Sequence, residues 1–168
     1  MLAKNMDDFV KKYNSNAIVA TLETNFLFRE KEYDAINKGF ENVNVILLVG
    51  SAGIGKTRLA LEYAKKHANK HNEKLLCIHD RSLPMYEDLK LYFEKPGDYF
   101  VVVDDANQLS KLDHVIEYVN KVDSGYHVKI LMTVRDYAVT KVKSDVNGIV
   151  NYEAIVINPF TDCKFRLT

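Results

Sequence analysis

The amino-acid sequence predicts an α/β fold built on a mostly parallel sheet, and two observations support this prediction. Five short apolar runs, each typical of a buried strand, alternate along the chain with stretches whose spacing favours helices. The first of these runs leads through a glycine-rich loop directly into a helix. Since strands that alternate with helices are joined by right-handed crossovers, we expect parallel strands, with any ligand bound beyond their carboxyl ends.

The individual elements follow from these patterns. We predict strands over residues 45–49, 74–79, 99–105, 127–133 and 152–157. Helices are predicted over residues 5–13, 30–40, 58–71, 86–93, 109–122 and 137–146, and an extended segment over 17–20.

The composition is that of a globular domain with a core of its own. The chain has 168 residues, of which 47% are hydrophobic and 27% are charged. Its 23 Lys and Arg residues balance 23 Asp and Glu residues, which argues against a nonspecific nucleic-acid or membrane surface. The two cysteines, Cys77 and Cys163, imply no disulfide framework. We therefore expect a cytoplasmic protein without a membrane partner or a direct nucleic-acid partner.

The loop after the first predicted strand has the sequence Gly-Ser-Ala-Gly-Ile-Gly-Lys-Thr, which matches the phosphate-binding P-loop. Its glycines let successive N–H groups face one concavity that binds an anion, and the following helix N-terminus adds partial positive charge. We expect a solvent-facing Lys56 to reach the β- and γ-phosphates, and the Thr57 hydroxyl to bind Mg²⁺. The alternative is a glycine-rich turn that matches by chance. The predicted nucleotide-binding residues here are Gly50, Ser51, Ala52, Gly53, Ile54, Gly55, Lys56, Thr57 and Arg58.

Two aspartates, Asp104 and Asp105, end the third predicted strand. A carboxylate at the end of a buried strand is unfavourable unless a cationic or polar group faces it, and nucleotide-bound Mg²⁺ is such a group. Asp104 is therefore the candidate magnesium ligand, acting through water, and Asp105 the candidate that orients or deprotonates the attacking water. The alternative is a pair of aspartates that open a loop without a ligand.

An arginine, Arg135, follows the fourth predicted strand. Its guanidinium can place a rigid fork of donors against a phosphate, which would make Arg135 a third catalytic residue beside Lys56 and Asp105. The alternative is a structural salt bridge to Asp136 or Asp105.

These motifs resemble those of the STAND class of signalling P-loop ATPases, which are related to the AAA+ proteins. The resemblance rests on the aspartate pair and on Thr133-Val134-Arg135, and it covers residues 26–160. It implies a three-layer P-loop NTPase fold with strand order 5-1-4-3-2, in which Arg135 detects the γ-phosphate. Residues 26–30 resemble the segment of the class that lies along the adenine, which implies contacts from Phe28 and Arg29, although Phe28 stands where glycine is usual. Residues 157–160 resemble the segment that leads into a helical lid.

The resemblance also implies a function. The chain would bind ATP or ADP with Mg²⁺ and hydrolyse ATP slowly, as the nucleotide switch of a signalling or defence ATPase. Because the chain stops at Thr168, we expect residues 26–168 to be the nucleotide-binding domain of a longer protein, after an N-terminal helix and extended segment at 1–25. Protein partners or self-assembly are then expected only through the missing domains. The alternatives are a P-loop kinase for a small molecule and a nucleotide-binding module that does not hydrolyse.

Overall fold

The computed structural model describes residues 3–4, 7–8, 11, 29–79, 85–120 and 125–159. The strands in this part of the chain are β1 (Ala3–Lys4), β2 (Val45–Gly50), β3 (Lys74–Ile78), β4 (Gly97–Val103), β5 (Tyr126–Arg135) and β6 (Tyr152–Val156). The helices with defined bounds are α1 (Glu30–Asn42), α2 (Lys56–His71), α3 (Met85–Tyr92), α4 (Leu112–Asn120) and α5 (Val139–Val146), with single 3₁₀ turns at Ala106–Gln108 and Asp136–Ala138.

The strands form one sheet in the order β1-β3-β4-β5-β2-β6. All neighbouring strands from β3 to β6 are parallel, whereas β1 lies antiparallel to β3 at the sheet edge. The five predicted strands therefore stand in the order 5-1-4-3-2, which confirms the predicted fold class and strand order. The short strand β1 was not predicted, because two residues carry no hydrophobic period.

Helices cover both faces of the sheet, and this explains why its central strands are continuous apolar runs. Every residue of β2 is buried. Alternate side chains of this strand, such as Leu47 and Leu48, enter two different cores. The core that contains Leu47 is completed by α4 and α5, and the core that contains Leu48 by α1 and α2. The arrangement has three layers, and because strands β2 to β6 are parallel, the loops that follow them lie together at the carboxyl ends of the strands.

Two strands end two residues away from their predicted ends, and the other three end within one residue of theirs. Strand β4 ends at Val103 rather than Asp105, because Asp105 adopts a left-handed backbone conformation with φ +47° and turns the chain out of the sheet. Strand β5 continues to Arg135, which pairs in register with Gly50 of β2. Helix α4 begins at Leu112, three residues later than predicted, after the 3₁₀ turn.

Several predictions concern residues at the margins of the described chain. In the predicted helix over residues 5–13, the described residues Asp7, Asp8 and Lys11 are helical. The predicted extended segment at 17–20 and Phe28 lie outside the described residues. Within the described ranges, no helix has the length and apolar character needed to cross a membrane.

Candidate nucleotide-binding site

The predicted loop, aspartate pair and Arg135 meet at the carboxyl ends of three adjacent strands, and a histidine that was not predicted follows a fourth. The glycine-rich loop, residues 50–57, follows β2, and Asp104 and Asp105 follow β4. Arg135 ends β5, which lies between β2 and β4. His79 follows β3, on the other side of β4. The parallel sheet thus brings together residues that are far apart in the sequence.

The glycines of the loop serve two purposes. Gly53 and Gly55 adopt φ values of +78° and +90°, which disfavour any residue with a Cβ, although a Cβ would meet no atom within 4 Å at either position. Gly50 is required for space instead. A Cβ there would collide with Ile54 and lie 2.7 Å from the carbonyl oxygen of Ile157. The loop therefore needs glycine for its turn at two positions and for close packing at a third.

Lys56 is buried rather than solvent-facing, so that expectation was wrong. Only 7% of the residue is exposed. Its Nζ donates to the carbonyl oxygens of Gly50 at 2.8 Å and Ser51 at 2.6 Å. The loop wraps around its own lysine. Burial lowers the pKa of Lys56, and the nearby Asp105 opposes that shift. An ammonium carries three donors, so these two contacts leave a third for an anion held in the loop.

Asp104 is the buried acid of the site, with 3% of the residue exposed. Its Oδ1 accepts hydrogen bonds from the hydroxyls of Thr57 at 2.6 Å and Thr133 at 2.7 Å. Its Oδ2 lies 3.1 Å from Nδ1 of His79. Burial alone raises the pKa of Asp104, but the hydrogen bonds from His79, Thr57 and Thr133 outweigh it and lower the pKa. The carboxylate is therefore ionised at neutral pH.

The pair formed by Thr57 and Asp104 fits a magnesium site. The Thr57 hydroxyl donates its only proton to Asp104, so its oxygen lone pairs can face a cation. Mg²⁺ is a hard cation that prefers oxygen ligands and keeps several waters, and an ionised carboxylate beside a hydroxyl oxygen is a suitable donor set. The predicted partnership of these two residues is therefore consistent with their geometry.

Arg135 and Asp105 form an ion pair in this structure. Nε and Nη2 of Arg135 lie 3.4 and 3.3 Å from the two carboxylate oxygens of Asp105, and both side chains are partly exposed. The hydrogen bond to Asp105 is the main cause of the raised pKa of Arg135. The backbone is held as well, because Arg135 N–H donates to Asn107 and Asp105 N–H donates to Thr133. The salt-bridge alternative is thus the contact present here, and the phosphate role of Arg135 stays a prediction.

Arg29 lies against the back of the loop, with 4% of the residue exposed. Its guanidinium donates to the carbonyl oxygens of Ile54 at 2.7 Å and Asn158 at 2.9 Å, and to Glu32 at 2.7 Å. It thereby joins the loop to the segment after β6. Arg58, also predicted to bind nucleotide, lies in the first turn of α2 with Nε and Nη2 shielded from solvent. The nucleotide contacts of both arginines stay predictions.

Sequence reasoning missed three residues of this site, namely His79, Thr133 and Asn107. Thr133 belonged to a recognised motif, but no contact was assigned to it. His79 was not assigned to the site. The available signal was positional, because His79 follows β3, and β3 is the neighbour of the strand that Asp104 follows.

Comparisons with known proteins agree with this geometry. The family model for novel STAND NTPase 3 matches residues 27–161, and no curated protein sequence matches the chain. Among solved structures, the chain resembles the RuvB Holliday junction branch migration motor of Thermotoga maritima, with 15% identity and a TM-score of 0.57 over 81% of this chain and 47% of that one. It also resembles the ORC1 protein of Aeropyrum pernix in complex with DNA, with 15% identity and a TM-score of 0.57 over 95% of this chain and 50% of that one.

A third similar structure is closed-state Hsp104 with ATPγS and FITC casein, with 13% identity and a TM-score of 0.56 over 95% of this chain and 30% of that one. At such identities the likeness shows a shared P-loop NTPase fold. This chain spans about half the length of RuvB and ORC1 or less. The family model, in contrast, covers most of the chain, and the chain accordingly belongs to the novel STAND NTPase 3 family.

Proposed function

We propose that this chain binds ATP or ADP with Mg²⁺ in the loop at 50–57 and hydrolyses ATP slowly, as the nucleotide switch of a signalling or defence ATPase. The observation that carries the proposal is the contact of 2.6 Å between Thr57 and the ionised carboxylate of Asp104 at the mouth of the loop. This contact joins the two motifs that such a site needs. Membership of an NTPase family supports the same assignment.

The phosphates would be held mainly by groups of the loop and its helix. The backbone N–H groups around Gly53 and Gly55 and the N-terminus of α2 favour an anion, and Lys56 adds a full positive charge. Thr57 and Asp104 would hold Mg²⁺, which neutralises charge on the phosphate oxygens when it is bound. Lys56 already lies against the loop in this structure, where two of its three donors contact the carbonyl oxygens of Gly50 and Ser51.

Arg135 and Asp105 would act as the switch within the site. A γ-phosphate offers the Arg135 guanidinium a doubly charged acceptor in place of the Asp105 carboxylate. When Arg135 turns to the phosphate, Asp105 is released and can accept a hydrogen bond from the attacking water. Because Arg135 and Asp105 pair with one another when no nucleotide is bound, we expect slow turnover, with most molecules in the paired state.

Phosphate release from Mg-ATP by the purified chain tests this function. We expect a steady rate without any acceptor, far below the ~10 s⁻¹ typical of enzymes. Asp105→Asn should keep Mg-ATP binding and lower the release rate, whereas Asp104→Asn should weaken the Mg²⁺ dependence of binding. A small-molecule kinase would transfer phosphate only when an acceptor is added. A binding module would release none. Equal release by the wild type and the Asp105→Asn variant would contradict the role of Asp105.

A further inference from the structure

His79 and Asp104 leave the sheet side by side. Strands β3 and β4 pair in parallel with Ile78 opposite Val103, and the backbone N–H of Asp104 donates to the Ile78 carbonyl at 2.9 Å. The next residue of β3 is therefore adjacent to Asp104. His79 is 41% exposed at its side chain, and its Nδ1 lies 3.1 Å from Oδ2 of the buried carboxylate. An exposed ring thus reaches inward to an acid that the rest of the site encloses.

The two oxygens of Asp104 have different partners. Oδ1 accepts from Thr57 and Thr133, and Oδ2 faces His79. A carboxylate held at one oxygen alone can still rotate about χ2, because the energy of an aspartate side chain changes little with this angle. Partners at both oxygens fix the plane of the carboxylate. Because an ionised carboxylate only accepts, the Nδ1 of His79 must carry the proton in this contact.

We propose that His79 is a positioning residue for the magnesium site. Its Nδ1–H contact with Oδ2 holds the Asp104 carboxylate in the orientation in which Oδ1 stays beside the Thr57 oxygen, where these two residues would hold hydrated Mg²⁺. This inference rests on the proposed function of the loop and deepens it. Groups that orient a metal ligand without touching the metal typically change metal affinity by about 10–100-fold when they are removed.

Three substitutions of His79 distinguish the effect of the Nδ1–H donor from that of the imidazole ring. Asparagine places an amide N–H close to the position of Nδ1, which is the atom that faces Asp104. Glutamine carries the same amide one methylene further out, near the position of Nε2. Alanine provides no donor. If the Nδ1–H contact is what matters, His79→Asn should rescue the function that His79→Ala and His79→Gln lose.

The experiment measures binding of a fluorescent ATP analogue to the whole chain while Mg²⁺ is titrated, with a parallel measurement in EDTA. For His79→Ala and His79→Gln, we expect the Mg²⁺ concentration at half-maximal binding to rise about tenfold or more. Their affinity in EDTA should equal that of the wild type, and His79→Asn should lie within about threefold of the wild type. His114→Ala removes an exposed histidine of α4 and is the matched control, which should leave the Mg²⁺ titration unchanged.

Several results would overturn the inference. An unchanged Mg²⁺ titration for His79→Ala would show that the contact does not orient Asp104. Equal losses in Mg²⁺ and in EDTA, with a lowered melting temperature, would assign His79 to the scaffold instead. If His79→Asn fails while it melts like the wild type, the Nδ1–H contact is not the cause. Failure of the wild type itself to bind nucleotide would refute the proposed function, and binding by the wild type is therefore measured before any variant is compared with it.

Discussion

In the proposed switch, Arg135 and Asp105 are the two residues whose contacts would change most when a nucleotide binds. The backbone N–H of Arg135 donates to Asn107 and that of Asp105 donates to Thr133, so both main chains have partners apart from the ion pair. Asp105 also holds a left-handed backbone conformation, which aspartate tolerates better than most residues with a Cβ. The carboxylate is thus held near the end of β5 by the turn itself, within reach of the Arg135 guanidinium.

The exchange of partners by Arg135 predicts a preference between nucleotides. Replacing Arg135 by alanine should lower ATP affinity by roughly 10–100-fold, since a hydrogen bond to a charged group contributes ~1.5–3 kcal/mol. Affinity for ADP should fall much less, because ADP lacks the γ-phosphate. Calorimetric titration with both nucleotides measures the two losses. Lys141→Ala removes an exposed cation of α5 and serves as control. Equal losses for ATP and ADP would leave Arg135 with a structural role alone.

The sequence predicted which residues gather at the site better than it predicted their contacts. The motif at 50–57 and the aspartates after β4 indicated a shared edge of the sheet, and Thr57 and Asp104 do meet there. The burial of Lys56 was not predicted, because spacing defines which strand end a residue occupies and not the direction of its side chain. For the same reason the choice of Asp105 over Asp136 as partner of Arg135 stayed open.

At the scale of elements, α2 connects the site to a buried cluster at its other end. Its first residues are Lys56 and Thr57, and near its C-terminus His67 packs against Phe100 with ring centroids 5.2 Å apart. His67 Nδ1 lies 2.8 Å from Glu73, whose other oxygen pairs with Lys129 at 3.1 Å. This packing helps to fix the helix that carries Lys56.

The buried end of α2 predicts a pH dependence of stability. Burial lowers the pKa of His67, against the opposing effect of Glu73, with Lys129 and His71 also lowering it. Below about pH 6.5, the ordinary pKa of histidine, the unfolded chain therefore binds more protons than the folded chain does. The free energy of unfolding decreases as the pH falls through this range. Replacing His67 by glutamine should reduce this decrease. Denaturant unfolding at pH 7.5 and pH 5.5 measures it for both proteins.

The experiment compares the change in unfolding free energy between the two pH values in each protein. A loss of packing that lowers the stability of the variant equally at both pH values therefore does not affect the result. His114→Gln should show the same decrease as the wild type, since His114 is exposed. If His67→Gln loses as much stability between the two pH values as the wild type does, His67 does not carry the effect.

Element types were predictable because helices and strands alternate with clear periods. All five longer strands and helices α1 to α5 lie where the sequence placed them, within a few residues. The turn at Asp105 was not foreseen, because an apolar run that ends in two aspartates does not reveal where the pairing stops. Strand order came from the resemblance of the motifs, since periodicity contains no information about which strands are neighbours.

In the whole molecule, the order of the strands in the sheet assembles the candidate site. The order β6-β2-β5-β4-β3 places the loop at 50–57, Arg135 and the aspartates 104 and 105 at the carboxyl ends of adjacent strands. The central claim is that this edge binds a nucleoside triphosphate with Mg²⁺ through the loop at 50–57.

Calorimetric titration of the folded chain with Mg-ATP tests that claim most directly, beside Lys56→Ala and with EDTA in a parallel run. We predict saturable binding of about one nucleotide per chain, weakened by EDTA, and a loss of at least roughly tenfold in Lys56→Ala, because the lysine supplies a charge-assisted hydrogen bond to phosphate. The variant should unfold at the same temperature as the wild type within a few degrees. No saturable binding by the folded wild type, or an unchanged affinity in Lys56→Ala, would contradict the claim.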